Sequence, residues 1–270
     1  MTLSIGKAWE ETSAFLGREA RLVAPVALAT FALPSVLADW AYPGASAGGS
    51  AGWLLIFVLL AVLVGQMTIV LLVNGWRGRI GEAMIKAVRR LPTLIAALLI
   101  AFLPVLLVAI VGFGASLTSA GITDPAQLTP ATIARLPNIV WLLLFLFLFF
   151  IIAGVRLFPI SAIAASEPIG PVALLRRSWT LTKGVFGRVL VLVLLLGIVA
   201  VVLDSAVTIV VGSIAALAAG EPRAFNLSAL IVALASGLVG ALVSTVSAAM
   251  VGRVYAQLAD GAPQPDAGKS

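Results

Sequence analysis

The chain contains no cysteine and no histidine, and only 10% of its 270 residues are charged. Without cysteine there is no disulfide, no thiolate nucleophile and no sulfur-ligated metal, and redox compartment cannot be inferred. Without histidine the usual base at neutral pH and the commonest metal ligand are both missing. The 11 acids are scattered, with Glu10–Glu11 the only adjacent pair, so neither a catalytic carboxylate pair nor a carboxylate metal cage is suggested. No glycine loop of the P-loop type occurs. The expectation is a non-catalytic protein that uses no metal and no cofactor.

Apolar sequence is present in abundance. Hydrophobic residues make up 61% of the chain and mean hydropathy is +1.17, whereas soluble domains carry about 25% charged residues. Crossing ~30 Å of hydrocarbon takes about 20 apolar residues in a helix. Six stretches meet that requirement, near residues 22–41, 52–73, 93–116, 138–165, 185–212 and 227–251. Their length and lack of alternation exclude a β-barrel. The expected fold class is therefore all-α: a polytopic membrane protein with six transmembrane helices. Residues 1–260 form one integral membrane domain, and a tail at 261–270, with two prolines and two glycines, is expected to be disordered.

The basic residues are sorted by side. Segments before the first stretch and after the second, fourth and sixth hold 14 of the 17 lysines and arginines. Short loops rich in Lys and Arg stay cytoplasmic, so both termini are expected inside, in a prokaryotic plasma membrane. With the positive charge confined to one face, anionic lipid is the expected partner and nucleic acid is not. The first 20 residues hold Glu10, Glu11 and Glu19 and no continuous apolar core, so the first span is expected to direct insertion without a cleaved signal. Trp40, Tyr42, Trp53, Trp76, Trp141 and Trp179 fall near span ends, as interfacial anchors do. In the 116–137 connection, Thr129 is positioned to cap a short helix with Pro130 at its first position.

A weak repeat links the basic segments. Ile5-Gly6, Ile80-Gly81 and Ile169-Gly170 each precede a stretch with helical periodicity that runs into an odd-numbered span. Ile5, Ala8, Trp9, Thr12, Phe15 and Leu16 share one face. So do Ile80, Met84, Ala87, Val88 and Leu91, and so do Val172, Leu175 and Trp179. These stretches read as amphipathic helices lying in the membrane interface. The chain then divides into three modules, each a surface helix followed by a hairpin of spans.

Residues 156–190 have a further pattern: Arg156, Pro159, Glu167, Gly170-Pro171, then Ala173 through Gly184 with Arg176, Arg177, Ser178, Trp179, Thr182 and Lys183. This stretch resembles the membrane domain of bacterial glycerophosphoryl diester phosphodiesterases and related standalone multi-span proteins. Residues 5–25 and the closing Arg253-Val254-Tyr255-Ala256-Gln257-Leu258 are similar more loosely. In the two-part enzymes of that family, hydrolysis belongs to a separate barrel carrying histidine and metal-binding acids. The resemblance implies membrane placement beside lipid-related enzymes and does not imply hydrolysis.

The candidate lipid-binding residues are Arg176, Arg177, Lys183 and Arg188, with Arg79, Lys86, Arg89 and Arg90 on the preceding basic segment. Together with the Ser178 and Thr182 hydroxyls, the first group could hold a lipid phosphate; alternatively, these bases only fix topology. Three intramembrane polar residues stand out: Arg156, Asp204 and Glu167. Arg156 either snorkels to headgroups or sits deeper in a pocket, with Glu167 or a lipid phosphate as partner. Asp204 is either bonded within its own helix near Thr208 or part of a cation or proton site. In the sixth span, Ala233, Ser236, Gly237, Gly240, Ser244 and Ser247 form a small-residue face suited to close helix packing. The leading expectation is a non-catalytic protein that binds anionic lipid and assists a lipid-related enzyme or complex. The alternative is a transporter or lipid-handling channel using Arg156 and Asp204 in one cavity.

Overall fold

The computed structural model describes residues 3–43, 52–122 and 128–260, and all regular structure among them is helical. In chain order the elements are α1 (Ile5–Ala27), a π-helical turn (Leu28–Ala32), α2 (Leu33–Ala41), α3 (Gly52–Val73), α4 (Ile80–Ser119), α5 (Pro130–Ala134), α6 (Ile139–Arg156), α7 (Ile160–Ser166), α8 (Pro171–Thr182), α9 (Phe186–Ala219) and α10 (Leu227–Asp260). The tail at 261–270 and most of the loop between α2 and α3 lie outside the described residues.

Among the described residues six helical segments are long and apolar enough to cross a membrane: Ile5–Ala41, Gly52–Val73, Ile80–Ser119, Ile139–Ser166, Phe186–Ala219 and Leu227–Asp260. The protein is an all-α, multi-pass membrane protein. The start of α1 and the end of α10 meet on one side, where the Ser4 amide donates to Gln257 Oε1 (3.1 Å); there Arg188 also donates to the Leu3 carbonyl (3.1 Å). We call this side the terminal face.

The helix boundaries differ from the sequence expectation in an informative way. Residues 80–91 were expected to lie flat, apart from the third span. They are instead the first turns of a single 40-residue helix, α4, ~60 Å long at ~1.5 Å per residue. The first basic segment likewise continues into its span, although α1 bends at Glu19 (φ −107°, ψ 19°). Only the third forms a separate helix, α8, set off from α9 by Gly184 in the left-handed region (φ +87°). The Ile-Gly pairs all lie at helix starts, but in two registers. Ile5 and Ile80 open α1 and α4, and Gly170 is the N-cap of α8. The short helix of the 116–137 connection is α5, with Thr129 Oγ1 accepting from the Thr132 amide (3.2 Å).

Proline acts differently at each site. Pro34 has no N–H for the Thr30 carbonyl, and its ring crowds that carbonyl. The chain answers with the π turn, in which the Leu33 amide reaches back to Leu28 O. Gly65 of α3 and Gly237 of α10 close on this first span from two sides. A Cβ at Gly65 would overlap Thr30 and Phe31, and one at Gly237 would overlap Val36. Small residues thus let the backbones approach in a setting where packing, not expulsion from water, holds helices together. Of the small-residue face in the sixth span, Ala233 and Gly237 serve this intramolecular contact, while Gly240 is exposed.

At Pro159 the fourth span breaks outright. Helix α6 ends at Arg156, residues 157–159 form an irregular turn, and α7 resumes at Ile160. Ile160, Ser161, Ala162, Ile163, Ala164 and Ala165 are all buried, and α7 is packed by α3, α4, α8 and α10. Non-helical backbone at membrane depth is tolerated only where protein or a cavity surrounds it, and the break meets that condition: Pro159 is buried, and Leu157 and Phe158 are half-buried against the core.

Candidate functional site

The broken fourth span and α8 form one polar assembly. The Ser178 hydroxyl donates to the carbonyl of Arg156, one of the orphan acceptors at the end of α6. In return, Arg156 reaches over α8 and donates to the Trp179 carbonyl (3.3 Å) and to Thr182 Oγ1 (3.2 Å). Its guanidinium sits 4.7 Å from the Trp179 ring centroid and 5.4 Å from that of Phe186. Thr182 passes the chain on, donating to the Ser178 carbonyl (2.9 Å).

Among the described residues no carboxylate lies within ion-pair distance of Arg156. The charge rests instead against the C-terminal ends of α6 and α8, where helix dipoles favour a cation by ~0.3–1 kcal/mol each, and against two aromatic faces. Its Nε is buried and has no partner.

Glu167, a candidate partner for Arg156 in the sequence, is engaged elsewhere. Its Oε1 accepts from Arg177 Nε (3.2 Å) and from the Tyr255 hydroxyl (3.0 Å). Arg177 and Glu167 are mostly buried, with side chains 18% and 21% exposed. Arg177 is thus committed inside the protein and is not free to face lipid. This triad ties α8 to α10 across the end of α7. Sequence reasoning missed Tyr255, whose only signal was its place in the closing motif of the resemblance.

Pinned from two directions, α8 has distinct faces. Leu174, Ser178, Leu181 and Thr182 are buried. Arg176 and Lys183 are exposed beside Val172 and Trp179, which are 51% and 52% exposed. Arg188 is exposed but holds the Leu3 carbonyl. In the second basic segment, Arg79 and Arg89 are exposed and Arg90 is half-buried. The Arg79 amide donates to Glu82 Oε2 (3.3 Å) at the start of α4, and Lys86 lies over Trp76 at 5.2 Å.

Arg156 and Asp204 are not brought together. Asp204 is exposed on α9, and another acid, Asp39 of α2, lies within electrostatic reach of it. A cavity of about 420 Å³ does lie behind the break, and its polar lining is Gln66, Ser161 and Ser247. The Ser161 hydroxyl is buried without a hydrogen-bond partner. The sequence analysis did not single out Gln66, although a lone glutamine in a very apolar span is a signal that could have found this cavity. Among the described residues no group of three or more acids could hold a metal.

With fold and site described, comparison with known proteins adds no name: no family model, no curated protein and no solved structure matches the chain.

Proposed function

We propose that this chain is a non-catalytic protein of a prokaryotic plasma membrane. Both termini are cytoplasmic, and it binds anionic lipid in the inner leaflet through the outward face of α8. The observation that carries this reading is the division of α8. One side is locked to Arg156, Glu167 and Tyr255, so the other holds Arg176 and Lys183 next to Val172 and Trp179 in a fixed orientation. Bases beside exposed apolar groups suit a headgroup above and acyl chains below. The sorting of 14 of 17 bases to one side of the spans supports the orientation. The likeness of residues 156–190 to phosphodiesterase membrane domains supports a place beside a lipid-related enzyme, with this chain as scaffold.

The test is lipid retention. Near an anionic surface each base contributes about 1 kcal/mol. Replacing both Arg176 and Lys183 with Gln should therefore weaken retention of phosphatidylglycerol by roughly thirtyfold at low salt. Native mass spectrometry of the purified protein reads this directly. Unchanged retention in the double variant removes the proposal.

A second reading, a lipid-handling channel, draws on the 420 Å³ cavity. In that reading Gln66, Ser161 and Ser247 contact the cargo, in place of the Arg156–Asp204 pair.

A further inference from the structure

A second cluster of cations stands on the terminal face, outside both the α8 surface and the broken span. Arg18 of α1, Arg77 of the α3–α4 connection and Arg253 of α10 line one cleft of about 410 Å³. They reach it by separate routes. Helix α3 ends in a Schellman turn: Gly75 is left-handed (φ +86°), the Trp76 amide reaches Leu71 O (3.1 Å) and the Gly75 amide reaches Leu72 O (3.1 Å). That turn swings Trp76 and Arg77 to the cleft. The bend of α1 at Glu19 brings in Arg18 and Glu19. Arg253 projects from α10, its guanidinium 5.9 Å from the Phe15 ring centroid.

The charges in this cleft are not neutralised. Among the described residues Glu19 is the only acid in the lining, and no ion pair joins it to any of the three arginines. Arg253 Nε is buried and has no hydrogen-bond partner. Arg18 spends only its Nε, on the Ala14 carbonyl (3.2 Å). Three guanidinium groups facing one space repel one another unless an anion sits between them, and their planar forks match phosphate oxygens. The volume falls within the range of roughly 300–1,000 Å³ common to organic-ligand pockets, far more than a bare phosphate fills. The rest of the lining is largely apolar or aromatic, including Phe15, Leu22, Val73 and Trp76.

We propose that this cleft binds an organic phosphate, a phosphate ester whose oxygens bridge Arg18, Arg77 and Arg253 while its carbon skeleton lies against Phe15 and Trp76. Two sources supply that chemistry, a phospholipid headgroup entering from the bilayer or a soluble phosphate ester entering from water.

The experiment uses the full chain in phosphatidylcholine nanodiscs. Two probes are titrated: phosphatidylglycerol doped into the discs, and free glycerol 3-phosphate added to the buffer. Each lost charge-assisted contact should weaken binding by about tenfold or more. Arg253→Gln and Arg77→Gln are the test variants; Arg77 is exposed, so the second guards against a folding defect in the first. The Arg176/Lys183 double variant is the control, because it removes the α8 surface and leaves this cleft untouched. If the Arg77 and Arg253 variants weaken phosphatidylglycerol binding and glycerol 3-phosphate never binds, the ligand is a lipid headgroup. If they weaken glycerol 3-phosphate binding, it is a soluble ester. If neither probe binds the wild type, or both variants bind as the wild type does, the proposal is wrong. A loss seen only in the α8 double variant upholds the α8 surface and overturns the cleft.

Discussion

Close to the terminal face the six spans form a packed bundle; toward the opposite face α4, α6 and α9 lose most of their neighbours. In α4 the buried positions are Ala83, Ala87, Leu94 and Ala97, and after that only Ser116. In α9 they are Val189 and Leu192, and after that only Ala215. Helix α3 has the mirror arrangement, its buried residues all falling between Val64 and Val73, where it approaches the terminal face. The difference teaches what holds such a protein together. Lipid tails are as apolar as leucine, so exposing Leu106 or Val202 to the bilayer costs nothing. What distinguishes the packed half is close contact, made possible by Ala, Gly and Ser, plus hydrogen bonds that lipid cannot supply. The hydroxyl, guanidinium and carboxylate contacts of α7, α8 and α10 all lie in that half.

The widest contrast should come from two leucines on one helix. Leu94 is fully buried and Leu107 is 54% exposed. Because lipid replaces water as the outside medium, Leu94→Ala loses packing more than transfer energy. The expected cost is about 2 kcal/mol, the lower end of the range for such cavities. Leu107→Ala should stay within about 0.5 kcal/mol of wild type. Denaturation of the protein in lipid nanodiscs measures both, and equal losses would erase the distinction between the two halves.

A slightly smaller effect is expected at the Glu167 triad. Glu167→Gln keeps the shape but removes the charge that Arg177 and Tyr255 share. Hydrogen bonds to charged groups contribute ~1.5–3 kcal/mol, and partial exposure of the pair screens part of it. A loss of about 1.5 kcal/mol is expected, together with faster hydrogen exchange in α8. Loss of stability without any change in α8 would mean that the triad holds only α10.

How much of this could be read in the sequence depends on where the physical cause sits. The six spans are legible because each is a local run of apolar residues. The cap at Thr129 is legible because cap and helix are neighbours. Prolines are visible, but their consequences are not. Pro92 and Pro104 lie inside the unbroken α4, Pro34 yields a π turn, and Pro159 ends a helix. A break persists only if something satisfies the freed carbonyls, and here that partner is Ser178, 22 residues further on. The same distance hides the partner of Glu167, since Tyr255 is 88 residues away. Fusion of residues 80–91 with the third span was hidden for the opposite reason. Amphipathic periodicity shows which face is apolar but not whether the helix stops, and no glycine like Gly184 intervenes.

The smallest effect expected is at Ser178. Its hydroxyl is the direct answer to an orphan carbonyl at the break, whereas Arg156 is held by several contacts at once. Ser178→Ala should therefore cost about 1 kcal/mol, the typical worth of one neutral hydrogen bond, and leave Arg156 seated on Trp179. The readout that separates this from generic destabilisation is local: exchange protection of the Leu157 and Ile160 amides, which bond to Ala153 O (2.7 Å) and Leu157 O (3.0 Å). If the hydroxyl sets the break, those amides lose protection while Leu94 and its neighbours in α4 keep theirs. If protection falls evenly along α4 and α6, the break is held by overall packing, and the packed half owes its shape to the small residues of α7 alone.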